Sequence, residues 1–442
     1  MFDPLISKGL DSNQPKPNSY WQSTADYIDT QPLQRDMSAD VVIVGAGYTG
    51  LSCAIELAKS GVKNIVVVEA NNIGWGCSGR NAGFVLPGSG RLSYQQLVER
   101  YGKQGALKLH SDYLAGTELI EDLSKEAGAT IDDCEVGYLK LAHSKQWLQK
   151  LENSARYLER EFDYQVEFLS KQKLQQDFVN HQKATGAIRY TNGYGINPLK
   201  LINSYAKLAL SLGVNIYTQS AVENIVKTND VHKVITATGT VTAPKVVMAT
   251  NGYTTKNITS PLKDKILPVL TNVVVTSPLS EKELESSNFK TKQVMMDTRE
   301  LKYYYRLLPD NRLLFGGRGA IAGKDANKPV YQQRLLNEIK STFLGLDNIN
   351  IDYNWIGWIS VSMDQMPHIY STDDNIYYST GYCGSGVSFA TLAGKQLAEL
   401  IYKGSLDSPL HTPLPNFPFA KFRRVGQALF YQYGRIKDSL GV

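Results

Sequence analysis

Gly45, Gly47 and Gly50 stand at G-x-G-x-x-G spacing, and Glu69 follows in the same stretch of chain. Those residue types at that spacing suit the binding of a dinucleotide. Gly45 permits a tight turn, Gly47 lets a pyrophosphate approach the backbone, and Gly50 lets a helix pack on a strand. A helix that opens there, with Tyr48 and Thr49 in its first turn, offers unpaired N–H groups and a partial positive charge to phosphate. An acid about 20 residues beyond the glycines accepts hydrogen bonds from ribose hydroxyls; Glu69, followed by Ala70, fits that place. A second glycine-rich stretch, Asn71 to Gly83, holds Gly74, Gly76, Gly79 and Gly83 with Ser78, Arg80 and Asn81 between them. It suits neither helix nor strand, and its place favours a second loop touching the same ligand.

These residues need a frame. Val41 to Val44 is a β-branched run suited to a strand buried on both faces. Leu51, Ala54, Ile55 and Ala58 form a helical stripe that Gly61 terminates, and Ile65 to Val68 is a second strand. Strand, glycines, helix, strand and terminal acid in this order make a strong signal, where the glycines alone would be weak. Further along, helices are expected over 93–126, 146–178, 199–212 and 330–343. Strands are expected at 136–141, 214–217, 246–250, 266–276, 302–308, 312–316 and 351–361, with a hairpin of 221–226 and 231–237 around Asn229-Asp230. Residues 375–400 repeat the order strand, loop, helix, the loop being Gly381-Tyr-Cys383-Gly384-Ser385-Gly386-Val387.

Residues 1–37 are polar and proline-bearing and read as an extended arm that Tyr20 and Trp21 anchor. Residues 411–442 end in a basic amphipathic helix with Phe430, Tyr431 and Tyr433. Docking on the body is expected for it, although length and charge alone do not separate that from a membrane anchor. The chain of 442 residues has room for two domains, and 42% hydrophobic with 20% charged residues describes a globular protein. A net charge of +5 is mild, so no nucleic-acid partner is expected. No secretory signal and no transmembrane segment is read, so a cytoplasmic location is expected. Cys53, Cys77, Cys134 and Cys383 form no C-x-x-C, and the six histidines form no H-E-x-x-H. Neither a metal site nor a dithiol centre is expected.

Val44 to Gly50, Ile73 to Gly83, Leu314-Phe-Gly-Gly-Arg318 and the 381–387 loop together resemble the glycine/D-amino-acid oxidase superfamily of FAD enzymes, in its gamma-glutamylputrescine oxidase-like branch. The resemblance covers nearly the whole chain. It implies an α/β fold: a Rossmann-like FAD-binding domain of the GR2 type, with an inserted α+β substrate domain on a mainly antiparallel sheet. The FAD-binding domain would comprise 38–92, 190–260 and 356–410, and the substrate domain 93–189 and 261–355. It also implies non-covalent FAD and a small-molecule amine substrate. The amine C–N bond would be oxidised to an imine by hydride transfer to flavin N5, and water would then hydrolyse the imine. The alternatives are a proline- or sarcosine-type secondary-amine enzyme and a non-catalytic flavin-binding subunit. Oligomeric state is left open.

In that setting Gly76, Ser78, Gly79, Arg80, Asn81 and Ala82 are expected at the flavin or pyrophosphate, and Val222 at the adenine. The turn at Thr250, Asn251 and Gly252 is of a kind typical of FAD-binding Rossmann variants. Gly384, Ser385, Gly386 and Val387 would place a helix N-terminus at the pyrimidine end of the flavin, to hold negative charge. Tyr304 and Arg306 share a strand face and would line the substrate cavity, an aromatic wall plus a cation. The chain departs from the branch at Ala82-Gly83-Phe84, where Gly-Gly-Gln is usual, and at Ser385, where His is usual. Related sarcosine oxidases carry a lysine near the Leu314–Gly317 strand; here Phe315 stands there, so oxygen is expected to be a poor acceptor.

Overall fold

The computed structural model describes residues 2–132, 135–258 and 262–441; Cys134 and the expected boundary at 260/261 lie outside the described residues. Two sheets organise the chain. The first has six strands in the order His368–Ser371, Ile376–Thr380, Lys245–Met248, Val41–Val44, Ile65–Val68, Asn215–Tyr217, all parallel except for the pairing of its first two. Its central strands are buried on both faces, which is why they are continuous apolar runs rather than alternating ones. A four-stranded sheet of Met37–Ser38, Thr240–Ala243, Val231–Thr236 and Val222–Thr228 flanks the same region. Its hairpin turns at Asn229, which takes φ 56, a conformation asparagine tolerates.

The second sheet has eight strands: Ile351–Ser362, Ile266–Pro278, Arg312–Arg318, Tyr304–Leu307, Val294–Asp297, Tyr138–Ala142, Gly186–Tyr190 and Val166–Ser170. It is antiparallel but for the pairing of Val294–Asp297 with Tyr138–Ala142. The fold is thus α/β, with a parallel dinucleotide sheet and a mainly antiparallel one. The expected passage between domains at 355/356 falls inside the strand Ile351–Ser362.

Most elements form where the sequence places them. The helix expected over 146–178 is instead a helix Lys145–Phe162, a strand Val166–Ser170 and a short helix Lys171–Asp177. Asp163 caps the first helix in the left-handed region, and the following residues pair with Gly186–Tyr190, so a tertiary edge outweighs helical composition. In the arm, Tyr20–Thr24 is a short helix rather than extended chain. Trp21 is buried and donates from Nε1 to Asn81 O at 2.8 Å.

Candidate functional site

The strand Val41–Val44 runs into Gly45, whose φ is 108 and whose Cβ would meet Ala249 O at 2.9 Å. A Cβ at Gly50 would meet Gly45 O at 2.0 Å, so this glycine seats the helix Tyr48–Lys59 against the turn. That helix begins after Gly47, which has no side chain to cap it. Ser78 from the second glycine loop does so instead, its Oγ accepting from Tyr48 N at 3.0 Å. Glu69 accepts from Ala46 N at 2.8 Å and from Asn71 N at 3.0 Å. Burial pushes its carboxyl above the ordinary range, against the pull of these amides.

Arg80 and Asn81 hold the second loop in shape. The Arg80 guanidinium donates to the carbonyls of Trp75, Gly76 and Ile356 and lies over the Trp75 ring. Asn81 donates to Ser78 O at 2.9 Å and accepts from Gly83 N at 2.8 Å.

In the third loop Gly381, Cys383 and Gly384 all take positive φ, and Cys383 does so as a side-chain-bearing residue at φ 54, which is uncommon. Its Sγ is turned to Gly381 O at 3.0 Å. The loop delivers the helix Gly386–Lys403, which packs so closely on Tyr48–Lys59 that a Cβ at Gly394 would meet Thr49 O at 2.4 Å. Ser52 Oγ donates to Thr391 O across the same contact at 2.7 Å. Two helix N-termini therefore open onto one cavity, a favourable setting for anionic groups.

The cavity collects residues from both sheets. From the first glycine turn come Gly45, Gly47, Tyr48 and Thr49, and from the strand end beyond it Glu69 and Ala70. The second loop contributes Gly76, Ser78, Arg80, Asn81 and Ala82, while Val222, Thr250 and Asn251 close one side. Gly384, Ser385, Gly386 and Val387 line it at the third loop, and Tyr304 comes from the eight-stranded sheet. Gly50, Gly79 and Gly252 are not lining residues. Each is a packing glycine whose Cβ would lie within 2.9 Å of backbone, at Gly45, Gly74 and Ile359 respectively.

Arg306 is not in the cavity wall. It is fully buried behind it, donating to Ile196 O at 2.5 Å and lying over the Trp21 ring. Gly195 and Gly83 leave it room: a Cβ at either would come within 2.8 Å of the guanidinium. Tyr304 turns its ring over Gly316 on the neighbouring strand, where a Cβ would lie 2.1 Å away, and Phe84 meets it edge-on at 5.9 Å. Burial pushes the Tyr304 hydroxyl up to about 12.

The sequence reading missed a group of cations. Arg91, Lys302 and Arg318 line the cavity around Tyr304, while Glu69 is the one acid among its described lining residues. Lys302 donates to Gly90 O at 3.0 Å, and burial first, then the charges of Lys140, Arg91 and Arg318, holds its ammonium far below the ordinary lysine range. Burial and then Arg318 bring Arg91 down to about 10. A lysine therefore does approach the site, from the segment before the strand Tyr304–Leu307, while Phe315 faces away and stacks on Tyr305 at 5.2 Å. The available signal was the run Gly88-Ser-Gly-Arg91 and the cations flanking the hairpin, Lys302 and Arg318.

A parallel sheet with two glycine turns, two helix N-termini and a buried acid at a strand end, roofed by a second sheet, has the architecture of a dinucleotide-binding protein. Residues 40–400 match the family model described as DAO, FAD dependent oxidoreductase, and the chain belongs to that family. It is 34% identical over 432 residues to the gamma-glutamylputrescine oxidoreductase of Escherichia coli (strain K12), covering 96% of this chain and 99% of the relative. It is 32% identical to a probable oxidoreductase, OrdL, of Haemophilus influenzae, over 86% of this chain and 87% of the relative. Glycine oxidase from Geobacillus kaustophilus shares the fold with a TM-score of 0.70 at 19% identity, over 84% of this chain and 97% of that one.

The cleft fits FAD on its own geometry. Gly45 and Gly47 form a cradle that a Cβ would fill, since at Gly47 it would lie 2.9 Å from Ser78 Oγ, and the helix start beneath carries no side-chain cap of its own.

Proposed function

We propose that the enzyme oxidises the C–N bond of an amine that also carries an anionic group, with a gamma-glutamylated diamine as the type of substrate. The observation that carries this reading is the substrate wall: Tyr304 and Phe84 beside Arg91, Lys302 and Arg318, with no carboxylate among them. Such a wall attracts a carboxylate and repels an ammonium, so it holds the acid end and favours the neutral form of the amine, which is the reactive one. No strong catalytic base is then required. Gamma-glutamylputrescine, the compound in the Escherichia coli relative's name, has both groups.

FAD bound in this cleft would supply the two-electron acceptor for the amine C–H bond. Gly45, Gly47, Tyr48 and Thr49 would hold its pyrophosphate, Glu69 its ribose, and Val222 its adenine through backbone. The N-terminus of the helix Gly386–Lys403, presented by Gly384, Ser385, Gly386 and Val387, would face the pyrimidine end and stabilise negative charge there. Tyr304 would stand over the substrate. Attachment is non-covalent in this reading. Burial keeps the thiols of Cys77 and Cys383 protonated, Cys77 being pushed up to about 11, and Cys383 points at Gly381 O.

Anaerobic mixing of the yellow protein with candidate amines tests this. Bleaching by a gamma-glutamylated diamine, much weaker bleaching by the same diamine without its glutamyl carboxylate, and none by proline is the expected result. Bleaching by proline or sarcosine alone would move the assignment to secondary amines, and no bleaching by any amine would sink the catalytic reading. Admitting air to the bleached protein then measures oxygen as the acceptor. The expectation of poor oxygen use rested on there being no nearby lysine, and Lys302 removes that premise.

A further inference from the structure

The C-terminal helix Arg423–Leu440 is mounted with its polar side inward. Arg424 pairs with Asp3 at 2.9 Å and donates to Pro268 O, and Arg423 donates to Ile266 O and faces Asp264. Asp438 accepts from Glu300 N at 2.7 Å and Leu301 N at 3.1 Å, and Lys437 pairs with Glu300 at 2.6 Å. Gln427, Tyr431 and Gly434 are buried against the body. The apolar side faces out. Phe422, Val425, Leu429, Tyr433, Ile436 and Leu440 recur at intervals of three and four residues, which aligns them along one stripe. All six are exposed, Leu429 to 66%, Ile436 to 61% and Leu440 to 69%. A surface helix ordinarily hides such a stripe, and a continuous apolar patch left open marks an interaction face.

We infer that this face docks on an anionic lipid surface, lying in the headgroup layer without crossing it. Charge decides the occupant. From Phe419 to the chain end Asp438 is the only acid, and it is occupied by the two amides. Lys421 and Arg435 are exposed beside the stripe, and the hydrogen bond Arg435 makes is to the neutral Gln432 at 3.2 Å. Self-association would bring two such stretches together with exposed cations on both, while the one acidic side chain of each, Asp438, is already engaged by its own body. A layer of anionic headgroups complements the cations while the acyl boundary takes the apolar row, with Phe422 and Tyr433 suited to the interface. No helix among the described residues is long and apolar enough to span a membrane. The docked face is also tied to the cavity: the Glu300–Leu301 segment that Asp438 grips leads directly into Lys302 of the substrate wall.

The test is co-sedimentation of the full-length holoprotein with vesicles of phosphatidylcholine alone or mixed with phosphatidylglycerol. Binding to the mixed vesicles, weakened by salt, and little binding to phosphatidylcholine alone is expected. Leu429→Glu with Ile436→Glu should abolish binding while leaving flavin absorbance and amine turnover unchanged. Lys421→Gln with Arg435→Gln should weaken it about thirtyfold. Three results would each overturn the inference. One is no binding to either vesicle; another is binding that neither double variant alters. The third is a dimer in solution, measured by light scattering, that Leu429→Glu with Ile436→Glu dissociates, which would give the face to a second copy.

Discussion

The two walls of the cavity are built on opposite principles. On the dinucleotide side the work is done by backbone brought close: Gly50 against Gly45 O, Gly394 against Thr49 O, and helix N-termini aimed inward. Its ionisable groups are tied up by amides and carbonyls, Glu69 by Ala46 and Asn71, Arg80 by Trp75, Gly76 and Ile356. On the proposed substrate side long side chains reach in from separate segments, and Arg91 and Arg318 carry their charge into the cavity beside Lys302. The first wall is set by shape and the second by charge. The first should therefore fail when volume is added, and the second when charge is removed.

Added volume gives the largest effect. Gly50→Ala puts a Cβ 2.0 Å from Gly45 O, backbone against backbone, with no side chain to yield. Loss of more than about 4 kcal/mol of stability is expected, seen as protein that is insoluble or purifies without flavin. Soluble yellow protein from this variant would break the comparison at its first term.

Acid should strike the eight-stranded body next. His181 is buried there, accepting from Ala184 N at 2.9 Å and packed on Tyr305 and Phe343. Burial, with help from Arg299 and Lys183, lowers its pKa from 6.5 to about 3. The folded form thus resists a proton that the unfolded chain accepts. Stability contributed by the neutral ring is fully present above pH 6.5 and is lost as pH falls toward 3, on the order of 4 kcal/mol over that window. Denaturant unfolding across the window, with and without His181→Gln, measures it, and equal slopes for the two proteins would refute the assignment.

Removed charge comes third. Arg318→Met and Arg91→Met each take one cation from the substrate wall at similar bulk. KM for a carboxylate-bearing amine should rise about tenfold to a hundredfold, with flavin content unchanged and little change for an uncharged amine. An equal rise for both amines would mean that these residues shape the cavity rather than read charge.

The same contrast explains what could be read in advance. The dinucleotide wall is contiguous in sequence, and period, glycine spacing and terminal acid point to one answer over Val41 to Glu69. The third loop was legible for the same reason. The substrate wall depends on facts that no single segment carries. Tyr304 and Arg306 do share a strand face, yet which of them meets the cavity is decided by the space that Gly83 and Gly195 leave for the guanidinium, in segments far away in sequence. Lys302 lies just outside the strand Tyr304–Leu307, where period two no longer predicts direction. The strand Val166–Ser170 was hidden because its residues gain their conformation from pairing with Gly186–Tyr190.

Glu69 offers the smallest effect and the finest test, because it is the one acid among the described residues of the wall that shape governs. Both carboxylate oxygens already accept from backbone amides, at 2.8 and 3.0 Å, so the charge is engaged whether or not a ribose is present. Glu69→Gln keeps the volume and one acceptor but turns an NH2 toward a second N–H. A loss of about 1–2 kcal/mol is expected, roughly a tenfold weaker FAD affinity by fluorescence titration of the apoprotein. Glu69→Asp keeps the charge but withdraws it from the amides, and it should weaken binding at least as much. If Asp instead restored full affinity, charge rather than placement would be the governing quantity on this wall too, and the division between the two halves of the cavity would not stand.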